Sequence, residues 1–413
     1  MTGRTVPEPI MASTANRADP ALRVLLVGPR GHGGEDVYVQ TLRTCPPDGV
    51  EYVDAGSFHA SAPGARCRVL EEVFLNRVIH PWLIPDIGFR SLTLGAEFDL
   101  VHVHAHPIRL GRLRSTPLVM SEGSSSAVYL KEYLNWDEQT MNRGYARARR
   151  VYRGLGVHDR LLNLRRVSRA YVFSRWARDV NIRWGADPAK LDVVYPGFPT
   201  PPPVEPRERR DFRFLFIGTD FERKGGFEVI EAFESVAARR AEVKLILVTP
   251  DPRLPHPDRA IHSWVPAERR ERLLALLQAL ERRGRVERYT LQDRTWLYRR
   301  FYRSADVFVM PSRAEGFGFT NVEALSFGLP VISSRTGPIA EVIEDGVTGV
   351  LVPPGDASAL AAAMERVVAE SDTVTRMGQA ARATFLARFT LDDFQRRLMQ
   401  VYGRAMENPC VGS

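Results

Sequence analysis

The residues best equipped for chemistry lie in one stretch, Glu315-Gly316-Phe317-Gly318-Phe319-Thr320-Asn321-Val322-Glu323. Two carboxylates bracket a glycine-rich turn. Before it, Val307-Phe308-Val309-Met310-Pro311-Ser312-Arg313 reads as a buried strand running into a loop. After it, Ala324 to Gly328 closes a short helix and Leu329-Pro330-Val331-Ile332 begins another strand. The amides of Gly316 to Thr320 are then expected where a helix starts, and unpaired N–H groups with the positive dipole end favour phosphate there. Carboxylates beside such a site suit hydroxyl donors better than phosphates. A ligand with a diphosphate at its centre and a polyol at each end fits: a nucleotide sugar. Thr320-x-x-Glu323 also reads as a capping box, in which Glu323 satisfies a helix-end amide instead.

In their spacing, Glu315 and Glu323 resemble the E-x7-E signature of glycosyltransferase family 4, which has the GT-B fold. The flanks agree: Ser304-Ala305-Asp306-Val307-Phe308-Val309, Pro311-Ser312, Glu323-Ala324-Leu325 and Gly328-Leu329-Pro330-Val331. Gly346-Val347-Thr348-Gly349 and Val352-Pro353-Pro354-Gly355-Asp356 match the family's ending. The resemblance covers the C-terminal half almost continuously and the N-terminal half loosely. It implies an α/β protein of two Rossmann-like, doubly wound domains facing across a cleft. The implied reaction moves a sugar, with retention, from a UDP-, GDP-, ADP- or dTDP-linked donor to an acceptor hydroxyl, with no cofactor.

That resemblance assigns roles residue by residue. Glu315 would hold hydroxyls of the transferred sugar, and Glu323 the ribose, with Phe317, Gly318, Phe319 and Thr320 forming the diphosphate loop. Lys224-Gly225 matches the family's K-G, whose lysine meets the diphosphate as a mobile point charge. Thr219 stands where many relatives carry Arg, and Arg223 is the candidate substitute. Gly33 and Gly34 would face the diphosphate across the cleft, and Leu291 lies in the loop at the base-binding position. After the strand Leu118 to Ser121 many relatives place a catalytic-site histidine before a glycine; this chain has Glu122-Gly123. Glu122 ends a strand where open α/β sheets present ligands, so it is a candidate base or sugar contact. The chain contains no D-x-D, which leaves a metal–diphosphate clamp unsupported and no metal expected.

These residues need elements to hold them. Leu22 to Val27 reads as a strand, Gly28 to Gly34 as a glycine loop and Glu35 to Leu42 as a helix. Its spacing is G-x-x-G-x-G-G rather than the dinucleotide pattern, but Asp54 stands near the position of a ribose acid. An NAD-type oxidoreductase therefore remains an alternative. So does a non-catalytic nucleotide-sugar-binding protein, given Glu122; a glycosidase-like carboxylate pair is a third. His102, His104 and His106 alternate along one strand face, which invites a metal, although the family's D-hydrophobic-V-H-x-H strand also explains them. Pro199-Thr200-Pro201-Pro202-Pro203 is a stiff linker. The expected division is a disordered tail over 1–20, an acceptor-side domain over 21–197 and a donor domain over 198–390, with helix 391–407 crossing back. Asp251 to Gly284 reads as an insertion carrying a charged helix over Ala267 to Arg283.

The 413 residues allow about two or three cores. A net charge of +8 suits an anionic ligand or surface. Arg143 to Arg178 holds eleven arginines and one acid, with Tyr145, Ala148, Tyr152 and Leu155 at helical spacing. This reads as an amphipathic basic helix that either meets an anionic membrane or is simply solvated. Nucleic-acid motifs and stacking platforms are not evident. Cys45, Cys67 and Cys410 form no disulfide or metal pattern, and no apolar run approaches a spanning helix. A cytoplasmic protein, with membrane association on the cytoplasmic face, is the expectation.

Overall fold

The computed structural model describes residues 22–28, 34–54, 90–92, 98–105, 108–110, 116–124, 128, 131–132, 135–158, 164, 166–203, 211–254, 263–290 and 294–409. The expectations for residues 1–20, for Gly31 and Gly33, and for His106 and Leu291 lie outside them. The first sheet takes β1 (Leu22–Val27), β2 (Val50–Asp54), β3 (Leu100–His104), β4 (Leu118–Glu122), β5 (Arg169–Val172) and β6 (Leu191–Val193) in the order β2-β1-β3-β4-β5-β6. The second takes β7 (Phe212–Ile217), β8 (Val243–Val248), β9 (Val286–Tyr289), β10 (Val307–Met310), β11 (Val331–Ser334) and β12 (Gly349–Val352) in the order β9-β8-β7-β10-β11-β12. Every neighbouring pair is parallel. Parallel strands covered on both faces become unbroken apolar runs, which is why Phe214–Ile217 and Val307–Met310 are buried at every position.

The helices comprise α1 (Gly34–Thr44), α2 (Glu138–Leu155), α3 (Arg175–Arg183), α4 (Gly226–Ala237), α5 (Ala267–Arg282), α6 (Arg294–Leu297), α7 (Phe319–Ser326), α8 (Ile339–Val342), α9 (Ala357–Ala369), α10 (Ser371–Arg388) and α11 (Leu391–Glu407). Helices α1 to α8 lie in the crossovers that parallel strands require, and α9 to α11 follow the last strand. A single π-type turn, Tyr298–Tyr302, continues α6. The expected insertion is corrected here. Helix α5 is the connection between the parallel strands β8 and β9, and it buries Leu273, Leu277 and Leu280. Its charged surface hid a core-facing leucine stripe. A small third sheet of 90–92, 108–110 and 157–158 was not anticipated.

The basic segment is also corrected. Helix α2 ends at Leu155, and strand β5 intervenes before α3, so the arginines share no single face. Arg169 pairs with Asp192, Arg178 donates to the Leu191 carbonyl, and Arg149 donates to the Trp184 carbonyl. Only part of the run, Arg143, Arg147, Arg150 and Arg153, is exposed along α2, opposite buried Met141, Tyr145 and Ala148.

The chain passes between the sheets at two adjacent points. Phe198 N–H donates to the Phe389 carbonyl at 2.9 Å, beside a bridge from Phe198 to Thr390. Helix α11, capped by Thr390 on the Asp393 amide, then returns to the first sheet and buries Leu398, Val401, Tyr402 and Ala405. The Tyr402 hydroxyl is hydrogen-bonded to His102 Nδ1 and to Tyr52, both at 2.8 Å.

Candidate active site

Strand order reverses between β7 and β10, and open α/β sheets hold ligands at the carboxyl ends of strands at such a point. Two loops leave the sheet there. After β7 come Gly218-Thr219-Asp220-Phe221-Glu222-Arg223-Lys224-Gly225, leading into α4; after β10 come Pro311 to Gly318, leading into α7. Gly225 adopts φ +80°, and a Cβ there would lie 2.3 Å from the Pro311 carbonyl oxygen, so the two loops meet backbone to backbone. Arg223 stitches them together. Its Nε donates to Asp220 at 2.8 Å, its Nη1 donates to the Ala314 carbonyl at 2.8 Å, and its own carbonyl accepts from the Arg313 amide. Beneath, Arg313 pairs with buried Glu228 in the first turn of α4.

This scaffold brings Lys224 and Glu315 into direct contact. Glu315 also accepts from the Ser312 hydroxyl at 2.8 Å, with Arg223 Nη1 at 3.9 Å. Burial pushes the Glu315 carboxyl upwards, yet Lys224 and Arg223 outweigh it and hold it below the usual carboxylate range. Burial lowers the Lys224 ammonium, and Glu315 restores only part of the shift. Thr219 is exposed at the lip of β7.

Gly318 is the N-cap of α7 at φ +91°, where a side chain would be strained and would meet Ile339. The amides that follow, at Phe319 and Thr320, precede the first intrahelical bond and face out of the helix start. The capping-box reading is overturned: Thr320 lies inside the helix, its hydroxyl donates to Met310 Sδ, and no side chain caps α7. Glu323 turns instead to Arg294, to the Tyr298 hydroxyl at 3.1 Å and to the Tyr302 hydroxyl at 2.8 Å. Burial works against the Arg294 charge, but Glu323 more than offsets it and keeps the guanidinium firmly protonated. Neither carboxylate is therefore bare: one is met by a lysine and a serine, the other by an arginine and two tyrosines.

The first domain closes over this loop. Phe173 packs edge-on against Phe317 and Phe319, and Phe198 against Phe319. The phenylalanine side chains thus join the domains. Glu122 ends β4, is buried, and precedes Ser124 by two residues. A Cβ on Gly316 would sit 3.3 Å from Ser124 Cβ, so the end of β4 abuts the Glu315 loop. Gly34 begins α1. His102 and His104 are buried and both hydrogen-bonded to Ser121, and His102 also meets Tyr402. Among the described residues no three His, Cys, Asp or Glu side chains are grouped so as to hold a metal.

Residues 201–384 match the family model for glycosyl transferases group 1. This domain belongs to the group 1 glycosyl transferases. A D-inositol 3-phosphate glycosyltransferase from Xylanimonas cellulosilytica is 29% identical over 246 residues, 55% of each chain. The chain thus matches about half the length of that curated relative. A sucrose-phosphate synthase from Thermosynechococcus elongatus superposes with a TM-score of 0.61 at 18% identity, over 94% of this chain and 99% of that one. Anabaena Alr3699/HepE, solved with UDP-glucose, superposes with a TM-score of 0.60 at 16% identity, over 92% and 99%. These likenesses extend beyond the transferase domain to both sheets, and the fold is GT-B.

The residues that sequence reasoning passed over are Ser312, Arg294, Tyr298 and Tyr302. The last three recur every fourth residue, the spacing of one helical face, and that pattern was a usable signal.

Proposed function

We propose that this protein is a glycosyltransferase that moves a sugar from a nucleotide-diphosphate sugar to an acceptor hydroxyl, with retention and without a metal. The observation that carries this reading is the contact of Lys224 with Glu315 beside the open start of α7, inside the matched domain. A lysine ammonium has three N–H donors. One satisfies Glu315, and the others are available to diphosphate oxygens, alongside the amides of Phe319 and Thr320. Charge on the departing nucleoside diphosphate would meet a fixed cation and oriented dipoles, which is electrostatic preorganisation. Glu315, held in ionised form, is suited to accept from hydroxyls of the transferred sugar. The Anabaena protein solved with UDP-glucose supports a nucleotide sugar as donor.

Glu122 stands where many relatives carry histidine, and this favours one second reading, a protein that binds the donor without transferring it. Incubation with a panel of nucleotide sugars and a mixed acceptor pool discriminates the two. Transfer predicts release of nucleoside diphosphate and an α- or β-anomer matching the donor, unchanged by a chelator. Binding without release in every combination would leave the second reading standing. No helix among the described residues is long and apolar enough to cross a membrane. The exposed arginines of α2 are proposed to touch an anionic membrane surface on the cytoplasmic side.

A further inference from the structure

The crossover helix α5 is tied to the Lys224 loop through one carboxylate. Glu222 lies in that loop, two residues before Lys224, and its side chain is taken up by the start of α5. Its Oε1 accepts from the Trp264 amide at 2.6 Å, the Val265 amide at 2.7 Å and the Ser263 hydroxyl at 2.8 Å. Its Oε2 accepts from Arg270 at 2.6 Å. A carboxylate has about four acceptor sites, so these partners hold it fully. Pro266, the N-cap of α5, offers no side-chain cap, and Glu222 brings an anion to that positive helix end from another element.

The same residue closes the turn that carries the lysine. The Gly225 amide donates to the Glu222 carbonyl at 3.0 Å, with Arg223 and Lys224 between them. The Lys224 amide donates to the Asp220 carbonyl at 2.9 Å and the Gly226 amide to the Phe221 carbonyl at 2.8 Å, so residues 220–226 are wound into one unit. Arg223 holds this unit to the Ala314 carbonyl, and Glu222 holds it to α5. A lysine ammonium rides on a flexible four-carbon stem, so the place it can reach is set by where its turn is held.

We propose that Glu222 is a positioning residue that sets Lys224 against the diphosphate of the donor by fixing the lysine's turn to α5. This rests on the donor reading given above and deepens it. It also gives the charged start of α5 a part in donor binding. A displacement of about 1 Å in a positioned group is enough to cost a site dearly.

The experiment is isothermal titration of the full chain with UDP, GDP, ADP and dTDP, and with the monophosphate of whichever diphosphate binds. E222A should lose about tenfold in diphosphate affinity and less than about twofold in monophosphate affinity. In a background with Lys224→Met and Glu315→Gln, which has no lysine to place, E222A should add less than about twofold. E222Q keeps an acceptor for the Trp264 and Val265 amides but sets an NH2 group against Arg270. It should fold like wild type and lose about threefold in affinity for the diphosphate alone. Hydrogen exchange over residues 219–226 should quicken in E222Q together with that over residues 263–270. A capping role and nothing more predicts a lower melting temperature with unchanged diphosphate affinity, and that result would overturn the proposal. Equal losses for monophosphate and diphosphate would do the same, as would an undiminished effect of E222A in the background without Lys224. If E222A does not fold, E222Q decides, and wild-type diphosphate affinity in it would reject the assignment. If wild type bound none of the four diphosphates, the donor reading would fall and this assignment with it.

Discussion

Lys224 and Glu315 meet in a site nearly closed to water, so removing one strands the other. On the proposed donor reading, Lys224→Ala should remove a charge-assisted contact to the diphosphate worth about 1.5–3 kcal/mol, and kcat/KM for the donor should fall about 10- to 150-fold. It also leaves Glu315 buried without its cation, which destabilises a protein by about 3–5 kcal/mol. The double variant Lys224→Met with Glu315→Gln should regain most of that stability in urea melts and none of the activity. If the single variant melts like wild type, the pair is not coupled as drawn. Glu122→Gln belongs to the same scale: turnover should drop about tenfold or more while nucleotide affinity stays near wild type. Unchanged turnover would remove Glu122 from the active site. The sequence made Glu315, Lys224 and the glycine loop legible because their spacing is local. The Lys224–Glu315 and Arg294–Glu323 pairs join residues 91 and 29 positions apart, and only the sheet order brings them together.

Helix α11 is held to the first sheet by polar contacts as well as apolar ones. Tyr402 links it to His102 and Tyr52, and His102 in turn meets Ser121. Burial, with a smaller contribution from neighbouring His104, lowers the His102 pKa from 6.5 to about 3. The unfolded chain therefore binds one more proton than the native state between those values, and the native state is favoured above pH 6.5. Stability should fall as pH drops below 6.5, with a limiting slope of about 1.4 kcal/mol per pH unit from this group. Denaturant melts at pH 5, 6 and 7 should show that slope in wild type and a shallower one in His102→Asn. Identical slopes would place the acid sensitivity elsewhere. The histidine alternation was readable in the sequence, but not its partners, since Tyr402 lies 300 residues away. On α2, the arginines at 143, 147, 150 and 153 should give anionic-vesicle binding that weakens steeply with salt. Substituting all four by Gln should abolish it; vesicle binding that survives would assign another surface.

At the scale of the whole molecule, the two domains are joined by a charge as well as by the aromatic contacts around Phe317. Glu341, in α8 of the second domain, accepts from the Trp176 amide at 2.6 Å, the Arg175 amide at 3.0 Å and the Tyr195 hydroxyl at 2.9 Å. Arg175 and Trp176 open α3 of the first domain, whose Ser174 caps only the Ala177 amide. The second domain thus supplies the anion that the first domain's helix start lacks. Removing it does little to either fold, because the freed amides can turn to water once the cleft opens. What it removes is a preference for the closed arrangement, and hydrogen bonds to a charged group contribute about 1.5–3 kcal/mol. Glu341→Ala should therefore shift the closed state by about tenfold or more towards open. Small-angle scattering should report a larger radius of gyration for the ligand-free variant than for wild type, and saturating donor should bring the two together, since a ligand held by both domains favours closure. Donor affinity should fall by at most the same factor, while kcat at saturation stays close to wild type. Glu341→Gln, which keeps one acceptor oxygen, should lie between. Equal radii and equal affinities for all three proteins would mean that the aromatic contacts alone hold the cleft shut.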